Sequence, residues 1–285
     1  MGIKIWHQSF ADLARLRGYE KVLREHIRCV TRPDTEVVLH GMHSRTYVTD
    51  YPGNDIGYAY VQFLHAHQFA RAAMQAEQEG YDAYALTTLP EPGLRHIRSL
   101  VSIPVVAYGE SAMLTACQLG LKFGVLLFIE KMVPQIETNI REHGLESRSV
   151  GARYVGFGFD EVLANFDTPD VVVEKFMTAS RALIASGADV IIPGEAPLNL
   201  LLQRAGVTRV DDVPVLDGVA TTMMCAEMMV DLRQRLHIGR STRGYYQAIP
   251  PRGRLDEIVS LYGLDRFPER PASAPGSTAP GSAAT

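Results

Sequence analysis

The feature that most constrains this chain is a strand-and-loop unit that occurs twice. The first copy spans residues 80–92 and the second spans residues 187–197, so that Thr88 and Glu195 occupy matching places 107 residues apart. In each copy a helical stretch ends at glycine, a short apolar run follows, and the run stops at polar residues beside proline. The repeat predicts two similar α/β halves that bring Thr88 and Glu195 together in one cleft.

The rest of each unit also repeats, because the stretch Ile103–Gly109 is echoed by Val213–Gly218. Short apolar runs alternate with helical periodicity along the whole chain, which favours parallel sheets covered by helices on both faces. The predicted fold class is therefore α/β, with two pseudo-symmetric lobes, each a parallel sheet flanked by helices, and an active site in the interlobe cleft.

The same periodicity suggests the limits of the lobes. The first lobe is predicted to comprise residues 1–113 plus 217–245, and the second to comprise residues 114–216. Residues 271–285 are mostly Pro, Ala, Ser, Gly and Thr, a composition typical of a disordered tail. Near the start of the chain, the apolar spacing predicts one helix over Phe10–Val30.

Composition excludes several kinds of partner. A net charge of −4 offers no basic field for nucleic acid or an anionic membrane, and no apolar run is long enough to span a bilayer. The sequence therefore predicts a cytoplasmic protein that acts on a small molecule. It leaves the oligomeric state open, although a homo-oligomer is possible and dimers are the commonest assembly. Cys29, Cys117 and Cys225 are interpreted as buried structural thiols, and the sequence calls for neither a metal nor a cofactor.

The candidate site residues follow from strand ends. In α/β sheets the ligand lies beyond the carboxyl ends of the strands, where loops and free helix N-termini meet. A small ligand with a carboxylate or carbonyl group suits such donors. The candidates at these ends are His7, Gln8, Ser9, Thr87, Thr88, Gly109, Glu110, Ser111, Gly194, Glu195, Ala196 and Asp217.

Three stretches of the chain resemble a known group of enzymes. Residues 81–94, 104–112 and 187–197 are similar to the aspartate/glutamate/hydantoin racemase superfamily, which includes maleate isomerases and arylmalonate decarboxylases. Hydantoin racemases look closest, since Glu91-Pro92-Gly93-Leu94 resembles the Asp-Pro-Gly-Leu that follows their first catalytic cysteine. The resemblance implies two pseudo-symmetric lobes with the site between them. It also implies a cofactor-free proton transfer by two cysteines, one from each lobe.

Both cysteine positions differ here. Thr88 stands where the first cysteine is expected and Glu195 where the second is expected, so the two-thiol mechanism is excluded. Threonine is no base near pH 7 but forms hydrogen bonds, whereas a glutamate with its pKa raised by burial is a competent base. His7 is the candidate second proton carrier. Each residue also has a structural interpretation: Glu195 as a helix cap, Thr88 as an ordinary strand-end residue, and His7 as a loop histidine.

Three functions remain open at this level. The first is a racemase, epimerase or isomerase in which Glu195 removes a proton next to a carbonyl, and backbone N–H groups near Gly109 and Thr88 stabilise the enolate oxygen. In this scheme His7 or a water molecule returns the proton. The second is a hydrolase in which Glu195 activates water against a cyclic amide or lactone. The third is a non-catalytic protein that retains the ligand cleft.

Overall fold

The computed structural model describes residues 2–44, 46–47, 49 and 52–264. Contacts divide the chain after Ile249 into a large unit that contains both sheets and a short second unit. Within the described part of the second unit, a helix spans Arg252–Leu261. The predicted disordered tail, residues 271–285, lies outside the described residues.

The first sheet has four parallel strands in the order β2-β1-β3-β4. The strands are β1 (Ile3–Gln8), β2 (Thr35–His40), β3 (Ala83–Leu86) and β4 (Val105–Ala107). Its helices are α1 (Arg17–Val30), α2 (Gly53–Ile56), α3 (Ala59–Gln78), α4 (Leu94–Arg98) and α10 (Gly218–Arg235). Along β3, Ala83 and Ala85 pack with residues of α1 and α10, while Tyr84 and Leu86 pack with residues of α3 and α4. Both faces of the sheet are therefore covered.

The second sheet has three parallel strands in the order β6-β5-β7. The strands are β5 (Phe123–Leu127), β6 (Ser149–Tyr154) and β7 (Val190–Pro193). Its helices are α5 (Tyr108–Leu119), α6 (Val133–Glu142), α7 (Phe159–Ala164), α8 (Asp170–Ala185) and α9 (Ala196–Arg204). Residues of α8 share a core with Leu126 and Ile191, and residues of α5 and α6 share one with Val125 and Ile192. This layering confirms the predicted fold class.

The sequence repeat corresponds to a repeated hydrogen-bond pattern. The backbone of Asp82 donates to the Lys4 carbonyl at 2.8 Å, and its side chain accepts from the Lys4 N–H at 2.8 Å. The pair of Asp189 and Lys122 forms the same two bonds, each at 2.8 Å. The entry of β3 beside β1 thus matches the entry of β7 beside β5.

Two predicted elements differ in the structure. The helix expected over Phe10–Val30 begins only at Arg17, because side chains compete for the preceding backbone N–H groups. The Ser9 hydroxyl accepts from the N–H of Ala11 at 3.1 Å, and a carboxylate oxygen of Asp12 accepts from the N–H of Ala14 at 3.2 Å. These local turns hold residues 9–14 out of the helix.

The second difference concerns the strand predicted after residue 212. Its first residues form β9 (Val213–Pro214), which pairs in antiparallel fashion with β8 (Arg209–Val210). A single parallel bridge joins Val215 to Ile191 in the second sheet. A short hairpin therefore takes the place of a full fourth strand.

The lobe limits remain a prediction. The boundary proposed between residues 113 and 114 falls inside α5, which is one continuous helix, and the boundary before residue 217 falls directly before α10.

None of the described helices is both long and apolar enough to cross a membrane.

The three cysteines are free, and their burial differs from the prediction. Leu23 and Ile27 form the buried side of α1. Cys29 lies outside that side of the helix and is exposed. Cys117 and Cys225 are partly buried.

Candidate active site

A cavity opens where the loops after β1, β3, β5 and β7 meet, at the carboxyl ends of strands from both sheets. It encloses about 580 Å³ including the space at its mouth. Its polar lining comprises Ser9, Tyr19, Thr87, Thr88 and Glu195, and its apolar lining comprises Phe10, Ala11, Leu16, Pro52, Gly53, Ile56, Leu89, Pro90, Phe128, Ile129, Met132, Phe159, Ala196 and Pro197. Both matching residues of the repeat, Thr88 and Glu195, therefore line one cavity.

Glu195 precedes α9 and is held by the loop after β5. Its carboxylate accepts hydrogen bonds from the backbone N–H of Phe128, at 3.1 Å to each oxygen, and of Ile129 at 3.2 Å. Its side chain makes no capping bond to α9. Glu195 occupies the N-cap position of α9, while its carboxylate bonds to a different segment.

The environment of Glu195 changes its acidity. Burial raises its pKa from 4.5 to about 8, although the two backbone N–H groups act in the opposite direction by favouring the charged form. Only 8% of the residue is exposed. A carboxyl group with this pKa exchanges protons near neutral pH, which is the property of a general base or acid.

Thr88 contributes a hydroxyl group with no protein partner. The residue is buried, and among the described residues its Oγ1 has no hydrogen-bond partner. A buried hydroxyl group without a partner costs free energy, so such a group is expected to meet a ligand or a water molecule. The backbone N–H of Phe10, on the facing loop, likewise makes no hydrogen bond within the described part of the chain.

Three further predicted residues line the cavity: Ser9, Thr87 and Ala196. The Ser9 side chain also forms a hydrogen bond with the Tyr19 hydroxyl group, which burial keeps in its neutral form by raising the pKa. Thr87 continues the first sheet, since its N–H donates to the Gln8 carbonyl at 2.8 Å.

His7 and Gln8 lie inside the first lobe and not in the cavity lining. Burial lowers the pKa of His7 to about 3, so the ring is neutral at physiological pH. This position does not support the predicted proton-carrier role. Gln8 uses its amide for internal contacts: it accepts from the Trp6 indole N–H at 3.0 Å and donates to the Gly41 carbonyl at 3.0 Å. The Trp6 ring stacks on His40 with 3.4 Å between ring centroids.

The predicted substrate contacts at the start of α5 also differ. Glu110 forms an ion pair with Arg98, and its backbone N–H donates to the buried Glu91 carboxylate at 2.5 Å. Gly109 lies against Glu91, because an added Cβ would come within 3.0 Å of that carboxylate. Ser111 contacts the Cys225 thiol. All three residues are outside the cavity lining, since β4 directs this helix start toward internal partners.

Gly194 and Asp217 support the site indirectly. The Gly194 N–H donates to the Leu126 carbonyl at 2.7 Å, which continues the second sheet up to Glu195. Asp217 caps α10 by accepting from the Ala220 N–H at 2.9 Å, and its other oxygen lies 2.7 Å from His26 Nε2. Its carboxylate is therefore occupied by protein donors and does not line the cavity.

Sequence reasoning missed the apolar walls and the role of the loop after β5. Phe128 and Ile129 present no polar side chain, yet their backbone N–H groups hold Glu195. The structure shows how this loop relates to the repeat. Gln8 and Leu126 accept the matching bonds from Thr87 and Gly194, so the loop after β5 corresponds to the loop after β1.

The charge of the lining is also informative. Within the part of the chain that the structure describes, no lysine, arginine or histidine lines the cavity, and the ionisable side chains of the lining are Glu195 and Tyr19. Among the described residues, no group of three or more His, Cys, Asp or Glu side chains is arranged to hold a metal ion.

Comparison with known proteins identifies a family for this chain. A family model described as Asp/Glu/Hydantoin racemase matches residues 20–226. The chain belongs to this family. A hydantoin racemase from Rhizobium meliloti is 27% identical over 157 residues, which cover 55% of this chain and 63% of that protein. A second, from Pseudomonas sp. (strain NS671), is 28% identical and covers 56% and 63% of the two chains. These matches span less than two thirds of the curated relatives.

Solved structures show the same fold over a longer stretch. An allantoin racemase from Klebsiella pneumoniae superposes with a TM-score of 0.71 at 20% identity, covering 87% of this chain and 94% of that one. An allantoin racemase from Pseudomonas fluorescens gives a TM-score of 0.67 at 25% identity, covering 87% and 98%.

Proposed function

We propose that this protein is a cofactor-independent racemase or epimerase that transfers a proton at a carbon next to a carbonyl group, with Glu195 as the base. One observation carries the proposal: the two matching loop ends meet in one cavity, and one of them supplies a buried carboxyl group with a pKa of about 8. That pKa suits proton removal near neutral pH. Membership of the racemase family supports the same reaction class.

The proposed chemistry divides the work between the two sides of the cavity. Ionised Glu195 removes the proton, and negative charge develops on the neighbouring carbonyl oxygen. The Thr88 hydroxyl and the Phe10 N–H, both without a protein partner among the described residues, are donors for that oxygen. Donors fixed by the fold stabilise such charge effectively, because they need little rearrangement during the reaction.

The lining favours a neutral substrate with an apolar substituent. A free amino acid or dicarboxylate needs cationic or several N–H partners, yet no cationic side chain is among the described residues that line the cavity. A cyclic amide carries its carbonyl groups without a full charge, and the walls provided by Phe10, Phe128 and Phe159 suit an apolar side chain. The similarity to proteins described as hydantoin and allantoin racemases supports this substrate class.

A change of configuration requires the proton to return on the face opposite Glu195, so the returning proton is assigned to water. His7 is neutral, internal and outside the lining, so it is not retained as a carrier. Because Glu195 is the single carboxyl group among the described lining residues, we expect exchange of the substrate hydrogen with solvent to accompany any change of configuration.

Deuterium exchange tests the proposal directly. The full chain is incubated in deuterated water with the separate enantiomers of a hydantoin that bears a benzyl group at its acidic carbon, and in parallel with aspartate and glutamate. Proton NMR follows loss of the hydrogen on that carbon, and circular dichroism follows configuration. We expect exchange and racemisation of the hydantoin above a protein-free blank, and neither with the amino acids.

Other outcomes identify the alternatives. A ring-opened product with no exchange in the remaining substrate indicates that Glu195 activates water and that the protein is a hydrolase. Saturable binding with neither product indicates a ligand-binding protein. Either result contradicts the proposed racemase, as does preferential exchange of the amino acids for the substrate class.

A further inference from the structure

Tyr108 connects the two sheets directly behind the segment that carries Glu195. It follows β4 of the first sheet and is fully buried. Its hydroxyl group donates to the carbonyl of Pro193, the last residue of β7 in the second sheet, at 2.7 Å. Pro193 lies two residues before Glu195, so this bond fixes the backbone from which the carboxyl group projects.

The surroundings of Tyr108 leave its ring no freedom to move. A Cβ on Gly218 would lie 2.2 Å from the Tyr108 ring, so only glycine at that position allows α10 to approach it this closely. The fully buried Asn199 extends the contact: its Oδ1 accepts from the Gly218 N–H at 2.8 Å and lies 3.4 Å from the Tyr108 hydroxyl. The hydroxyl group is therefore held in place by α9 and α10 together.

We propose that Tyr108 is a positioning residue for Glu195, acting through the Pro193 carbonyl to align the carboxyl group with the cavity and with the Phe128 and Ile129 N–H groups. Tyr108 is absent from the cavity lining, so it does not touch the ligand. The inference deepens the proposed function, because it rests on Glu195 as the proton-transferring group.

The alignment has a measurable consequence for Glu195. Its hydrogen bonds from Phe128 and Ile129 favour the ionised form. If the hydrogen bond from Tyr108 to the Pro193 carbonyl is removed, the bonds from Phe128 and Ile129 lengthen while Glu195 stays buried. The pKa of Glu195 then rises. The amide signals of Phe128 and Ile129 report this event, because both N–H groups donate to the carboxylate that titrates.

The test compares Tyr108→Phe with a matched control, Tyr84→Phe. Both tyrosines are fully buried, and each donates its hydroxyl to a backbone carbonyl, Tyr84 to Phe69 at 3.2 Å within the first lobe. Amide NMR titrations of the folded proteins give the midpoint for Glu195, and Glu195→Gln identifies the signals that depend on it. For Tyr108→Phe we expect a higher midpoint than in the wild type, and for Tyr84→Phe the wild-type value.

Turnover supplies a second, separate readout. With the hydantoin substrate, Tyr108→Phe is expected to lower kcat by about tenfold to a hundredfold with little change in KM, because it misplaces the base without removing a ligand contact. An unchanged or lower midpoint overturns the positioning role, as does a loss of kcat equal to that of Tyr84→Phe. If the wild type turns over no substrate, the proposed function fails, yet the amide titration still decides the role of Tyr108.

Discussion

The two sides of the cavity have matching backbones and opposite chemistry. On the second side, the carboxylate of Glu195 accepts from the N–H groups of Phe128 and Ile129. On the first side, the hydroxyl of Thr88 and the N–H of Phe10 have no partner among the described residues. The fold repeats the same backbone arrangement on both sides. The residue at each loop end decides whether the polar groups of that side form hydrogen bonds within the protein or are left for a ligand.

This difference favours a division of roles. A symmetrical pair of proton carriers needs an ionisable group at both loop ends, and only Glu195 provides one. The first side retains hydrogen-bond donors without a base. We therefore infer that the second side moves the proton and the first side holds the ligand oxygen.

The largest expected effect tests which side moves the proton. Glu195→Gln removes the base and is expected to lower the rate of deuterium exchange by about a hundredfold to ten-thousandfold. Glu227→Gln is the matched control, because Glu227 is also buried, accepts from the backbone N–H of Arg32 at 2.9 Å, and does not line the cavity. Near-normal exchange by Glu195→Gln would show that the second side does not supply the base and would contradict the proposed division of roles.

The second prediction concerns pH. Because the ionised form is the base, exchange by the wild type is expected to rise with pH through a midpoint near 8.

The carboxyl group of Glu195 affects stability in the opposite direction. Its pKa is higher in the folded than in the unfolded chain, so its contribution is fully present below about pH 4.5 and is lost as pH rises to about 8.

Urea unfolding across this range measures that contribution. The free energy of unfolding of the wild type, relative to Glu195→Gln, is expected to fall by a few kcal/mol between these pH values. A difference that stays constant with pH would show that the carboxyl group titrates alike in both states.

The third prediction compares equivalent backbone positions. A Cβ on Gly194 would lie 2.5 Å from the Leu127 side chain and 2.8 Å from the Leu126 carbonyl, so Gly194→Ala is expected to destabilise the fold by about 1–3 kcal/mol. Thr87, at the matching place, already carries a side chain, and Thr87→Ala is expected to cost about 1 kcal/mol or less. Urea unfolding of both variants makes the comparison, and equal costs would contradict it.

The smallest expected effect tests the open side. Thr88→Val keeps the shape of the side chain and removes a hydroxyl group that has no described partner. We expect stability to be retained or raised by up to about 1 kcal/mol, and the exchange rate to fall by about tenfold if the hydroxyl binds the ligand oxygen. Thermal unfolding and deuterium exchange separate the two effects. A variant that is less stable but equally active would indicate a purely structural threonine.

Much of the framework was predictable because it follows from periodicity. The parallel sheets and their helical layers follow from short apolar runs that alternate with helical periodicity, because burial of the sheets on both faces imposes such runs on the sequence. The start of α1 was not predictable in this way. Ser9 and Asp12 form local turns that override an apolar spacing compatible with a helix.

The site was predictable only where a side chain carries the chemistry. Glu195 and Thr88 were found because strand ends concentrate functional side chains. Glu110 and Asp217 satisfied the same rule, yet they pair internally with Arg98 and His26, and sequence position does not reveal such pairing. The N–H groups that hold Glu195 were missed since every residue type except proline has one.

The stacked contact between Trp6 and His40 gives the protein an intrinsic optical reporter. Trp6 is the sole tryptophan in the chain, it is almost completely buried, and its strand leads directly to the open side of the cavity. Its emission therefore arises from the first sheet alone. Comparison of that emission with the circular dichroism of all helices would show, without any label, whether both halves of this repeated fold melt as one.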